Sequence, residues 1–187
     1  MSENRVDPTV AGLFLVSFIT LVFGFLGLGA YTENMWIDTP QATGIAVFVG
    51  ILIAVLMVSA IRCGNAFAAA LYGFVAITLF LPSVATGTAG FIGMGGEFGA
   101  MFMFIIAAIL YIVFMLVALF VGAPKLLVII LFLVALLYLF VGLFVNALNN
   151  NADPKTFGLL FGIFGVLAGL VSMYLAFALS TQKAPVF

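Results

Sequence analysis

The sequence predicts an all-α integral membrane protein with six transmembrane helices and both termini in the cytoplasm. Three observations carry that prediction. Of the 187 residues, 67% are hydrophobic and only 6% are charged. A soluble domain of this size cannot cover its core with so few charges. Six apolar stretches each approach the roughly 20 residues that a helix needs to cross a bilayer. Finally, the few charges fall at the ends of those stretches, with the basic ones biased to one side.

The stretches lie at about 10–31, 43–61, 65–84, 98–121, 125–147 and 157–180, and the chain reads as one membrane domain over 1–187. Pro8 precedes the first, Pro40 the second and Pro154 the sixth, while Pro124 opens the fifth. Proline is tolerated at the first turn of a helix and not in its interior. "RCGN" (62–65) and "VGAPK" (121–125) are short enough to join antiparallel neighbours. The first stretch is too long for a cleaved signal peptide, and its flank of Glu3, Arg5 and Asp7 is not net positive.

Six spans place the N-terminus, the 2–3 turn, the 4–5 turn and the C-terminus on one side. Arg5, Arg62, Lys125 and Lys183 fall there, and Lys155 is the one basic residue opposite. Basic residues favour the cytoplasmic side, so both termini are expected there. The opposite loops are longer. Loop 32–42 has Trp36, with Tyr31 beside it, both suited to a membrane interface. Loop 85–97 is glycine-rich but lacks the lysine of a phosphate-binding loop. It reads as a surface loop or as a segment folding partly back into the bundle.

In the last stretch, Gly158, Gly162, Gly165, Gly169, Ser172 and Ala176 recur at steps of three and four, so they share one helix face. Small residues let helices approach closely in lipid, where the hydrophobic effect no longer drives them together. The face is expected to pack, within the subunit or between subunits, and could also line a narrow conduit.

The chemistry that is missing narrows the function. Every charged residue lies at the end of a predicted span or in a loop, which argues against a carboxylate proton relay. The chain has no His and a single Cys, Cys63, at the 2–3 turn. No cofactor, metal site or catalytic group is expected, and enzyme activity is not. Polar groups within the spans are few: Ser17, Thr20, Ser59, Tyr72, Thr78, Tyr111, Tyr138, Ser172 and Tyr174. Most such hydroxyls bond their own helix or a neighbour. Together with small residues they could also line a path for a small solute.

Three local patterns resemble one family. "VDPTVAGL" (6–13) resembles the Asn-Pro-Ala-Pro-Leu-Gly-Leu signature of the acetate/succinate uptake transporters, with Asp7, Pro8, Gly12 and Leu13 in matching places. "GNAF" (64–67) resembles the family's Gly-Asn-Thr-Phe, through Gly64, Asn65 and Phe67. "GVLAGLVSMYLA" (165–176) is similar to its Gly-x-x-x-Gly followed by Tyr-x-Ala, through Gly165, Gly169, Tyr174, Leu175 and Ala176. The chain departs from the family where Asp7 replaces Asn, where Val10 replaces the second Pro, and where Ile53 and Ile112 fall near an expected Gln and Thr.

The resemblance implies a transporter or channel for acetate or a similar small monocarboxylate, or its neutral acid, in a prokaryotic cytoplasmic membrane. It implies a homo-oligomer, a ring of six, and a hydrophobic constriction built from the first, third and fifth spans. Counting from the motifs puts that constriction near Val16, Val75 and Leu133, with Tyr72 the alternative to Val75 if the third helix is shifted by one turn. Ser17, Thr20, Tyr72 and Ser172 are the hydrogen-bond donors available to a substrate. The lost polar lining leaves two other readings open. One is a non-transporting accessory subunit of a membrane complex; the other is a channel for another small neutral solute.

Overall fold

The computed structural model describes residues 8–32, 39–83 and 97–181. Among them the chain forms six helices and no strand: α1 Thr9–Thr32, α2 Thr39–Arg62, α3 Ala66–Ser83, α4 Glu97–Phe120, α5 Lys125–Asn149 and α6 Lys155–Thr181. Five carry segments long and apolar enough to cross a membrane, and the apolar part of α3 is shorter, Ala66–Phe80. The protein is an integral membrane protein. Asp7, Trp36, the N- and C-terminal flanking charges and most of loop 85–97 lie outside the described residues.

Two of the turns follow from glycine. Gly64 has φ +73°, and the Asn65 N–H reaches back to the Ala60 carbonyl at 3.0 Å. That closes α2 with a left-handed cap that glycine adopts without the steric cost of a side chain. Asn65 then starts α3, its Oδ1 accepting the Ala68 N–H at 3.0 Å. Gly122, at φ +69°, ends α4 in the same way, with the Ala123 N–H on the Ala118 carbonyl at 2.9 Å. Pro124 is the N-cap of α5, in extended conformation, one position earlier than the first-turn place its sequence suggests. Pro40 conversely falls just inside α2, which begins at Thr39.

The helices pack in a ring, each beside its neighbours in sequence, and α1 lies along α6 in the most extensive contact. The glycine face of α6 is the reason. Gly158, Gly162, Gly165, Gly169, Ser172 and Ala176 are all buried. A Cβ built on Gly165 would lie 2.7 Å from both the Cα and N of Gly24, and one on Gly27 would lie 2.7 Å from the Gly162 N. The two backbones touch, so no side chain fits between them. Ser17 adds a hydrogen bond across the seam, donating to the Gly169 carbonyl at 2.8 Å. The small-residue face therefore packs within the chain, against α1. The opposite choice appears on the outer faces of α2 and α4. Phe48, Ile51 and Val55, and Phe102, Ile106, Ile109 and Val113, are exposed at helical spacing. Such apolar stripes suit lipid or a second membrane subunit.

Candidate functional site

α1, α3 and α5 run in the same direction and leave a cavity of about 210 Å³ between them. A single water needs roughly 10–15 Å³ by this measure, so the space admits a small solute. The lining advances in step along the three helices. It starts at Thr9, Asn65, Ala123 and Pro124, at the helix beginnings, and ends at Phe23, Leu79, Leu137 and Tyr138. From Thr9 to Phe23 that is 14 residues, or about 21 Å of helix. The two short turns explain the convergence: each returns the chain directly, so the starts of α3 and α5 come back beside the start of α1.

The wall is almost wholly apolar, and no lining residue among those described carries a charge. Near the helix starts, the ring of Tyr72 presses against Gly12, where any Cβ would collide with it. The Tyr72 hydroxyl donates to the first-turn carbonyls of α1, 3.2 Å from Thr9 O and 3.4 Å from Pro8 O. At the inner end a second void of about 10 Å³ lies among Phe23, Phe104, Leu137, Tyr138 and Val141. It is barely the size of one water. Phe23, Leu137 and Tyr138 border both spaces, so these side chains close the larger one.

The residues singled out from the sequence distribute unevenly. Val16, Thr20, Tyr72 and Val75 line the cavity, as do Gly12, Leu13, Asn65 and Phe67 of the motifs. Tyr72 and Val75, one turn apart on α3, both line it. Leu133 does not line it; Leu131 and Val134, on either side, do. One position on a helix turns a side chain by about 100°, so a residue between two lining ones can fall outside the wall. Thr20 bonds its own helix, at 2.8 Å from Val16 O. Ser17 and Ser172 belong to the α1–α6 seam and not to the cavity. Ser172 is fully buried there, its Oγ with no hydrogen-bond partner among the described residues. Tyr174 is 43% exposed on the outer surface.

Thr78, Tyr111 and Tyr138 entered the sequence reading only among the in-span hydroxyls that could line a path; Tyr111 and Tyr138 both border the cavity, and Thr78 is bonded to Tyr111 at 2.8 Å. Their presence as hydroxyls inside apolar spans was the available signal.

The fold is similar to that of the bacterial acetate channel SatP. The two structures superpose with a TM-score of 0.77 over 97% of this chain and 99% of that one, at 16% sequence identity. The fold implied by the three sequence motifs is thus the one found. No protein-family model matches the chain, and no curated protein matches it.

Proposed function

We propose that the protein is a membrane channel or transporter that passes acetate or a similar small monocarboxylate through the cavity between α1, α3 and α5. The observation that carries this reading is an uncharged, apolar cavity of about 210 Å³ in a fold shared with an acetate channel. The cavity begins where three helices start. The aligned peptide dipoles there favour a nearby anion. Lys125, at the start of α5, adds a charge of the same sign. Deeper in, no cation offsets the cost of desolvating a carboxylate, so the neutral acid is the form that crosses. The apolar side chains of Val16, Tyr72, Val75, Leu131 and Val134 set the width of the path, and a dry constriction of this kind can gate by excluding water.

The exposed apolar stripes on α2 and α4 would be covered in a homo-oligomeric ring, six subunits being the number the family resemblance implies. The cytoplasm is the proposed side of both termini, in a prokaryotic cytoplasmic membrane. A channel for another small neutral solute is the second reading, favoured by the same absence of lining charge. Uptake of labelled acetate, formate, succinate and urea into vesicles holding the purified protein, with protein-free vesicles subtracted, separates these readings from a non-transporting subunit.

A further inference from the structure

Thr78, Tyr111 and Tyr138 bring three hydroxyls together from α3, α4 and α5 at the inner part of the cavity. All three residues are at least nine-tenths buried. Tyr111 and Tyr138 border the cavity, their rings stacked with centroids 5.2 Å apart, and the Tyr138 hydroxyl lies beside those of Thr78 and Tyr111. Thr78 stands behind Tyr111 at 2.8 Å.

The direction of these bonds follows from a carbonyl. Thr78 Oγ1 is 2.9 Å from the Val75 carbonyl, which can only accept. The one hydroxyl proton of Thr78 is therefore spent on Val75. Tyr111 must be the donor in its bond to Thr78, and its oxygen is left with lone pairs alone. Tyr138 keeps a proton, which the adjacent Tyr111 oxygen takes when no ligand is bound and which a ligand can draw off. The group thus offers a ligand one acceptor, at Tyr111, and one donor, at Tyr138. A carboxylic acid has the matching pair, an O–H and a C=O. A carboxylate is acceptor-only and would set its oxygens against the lone pairs of Tyr111, with no cation among the described lining residues to compensate.

We propose that Thr78, Tyr111 and Tyr138 form a binding subsite that takes a small undissociated carboxylic acid and rejects its carboxylate. This deepens the proposed function and rests on it for the choice of ligand. Thr78 is a positioning residue: it fixes which way the Tyr111 proton points.

The test is difference infrared spectroscopy of carbon-13-labelled acetate bound to the full-length protein in vesicles, at a pH where both forms are present. The wild type should show a bound C=O band of the undissociated acid, absent from protein-free vesicles. Tyr111→Phe should weaken binding about tenfold, the effect of one lost hydrogen bond. Thr78→Val, nearly isosteric, frees the Tyr111 proton and should bring up a bound carboxylate band. A merely structural role would not produce that switch. Size-exclusion profiles matching the wild type confirm that both variants fold. No bound acid in the wild type, a bound carboxylate there instead, or no response to either variant would overturn the subsite. Acetate flux measured in the same vesicles keeps the two claims apart. Bound acid without flux removes the channel reading and leaves the subsite; flux without bound acid does the reverse.

Discussion

Gly165 on α6 meets Gly24 on α1 backbone to backbone, so closely that a methyl group on Gly165 would lie 2.7 Å from the Gly24 Cα. This contact sets the separation of the two most extensively packed helices, and α1 in turn forms one wall of the cavity.

Gly165→Ala should therefore destabilise the protein in detergent, by about 1–3 kcal/mol as overpacked interiors generally do. Gly44→Ala is the counterpart. A Cβ there meets nothing within 4 Å, and Ala is the better helix former, so stability should hold or rise. Thermal unfolding followed by circular dichroism compares the two. Equal effects would mean that the glycine seam does not limit packing.

The six helices were legible because lipid imposes a length and because Pro and Gly punctuate the chain at Pro8, Gly64, Gly122 and Pro154. The packing role of the α6 glycines was legible from their spacing; α1 carries a matching face, Ser17, Thr20, Gly24 and Gly27 at steps of three, four and three, but only the tertiary fold pairs the first helix with the last. The cavity wall was harder. In "LLVIILFLVALLYLF" on α5, hydropathy is nearly uniform, so nothing local says which of Leu131, Leu133 and Val134 faces inward. The hydroxyl group was hidden for another reason. Thr78 and Tyr111 are 33 residues apart, and only the tertiary fold brings them together.

Width should follow the residues that line the cavity. Val134→Phe fills space on the wall and should lower acetate flux severalfold, while Leu133→Phe, off the wall, should leave it near the wild-type level. Vesicle uptake at matched protein content measures both. A larger loss for Leu133→Phe would relocate the path.

Asn65 begins α3 at the cavity mouth, and its side chain accepts the Ala68 N–H. Asn65→Ala should cost about 1 kcal/mol of stability, and Asn65→Ser much less, because a hydroxyl also caps. Melting curves of the two variants should differ in that order; identical curves would remove the cap from the account of how α3 is placed.

Cys63 is the one cysteine of the chain and lies at the 2–3 turn, on the side of the cavity mouth. The charge bias predicts that this side is cytoplasmic. A membrane-impermeant maleimide should label Cys63 in inverted vesicles and not in intact cells. Labelling from outside the cell would reverse the orientation and place the mouth on the other face.

The central claim is that a small carboxylic acid crosses through the cavity between α1, α3 and α5. Counterflow of labelled acetate in vesicles, with protein-free vesicles subtracted, tests it most directly when the pH is lowered at constant total acetate. Flux should rise in proportion to the undissociated acid and should fall in Val134→Phe. Flux that follows the carboxylate, or that ignores Val134→Phe, or that is absent from the wild type, would contradict it.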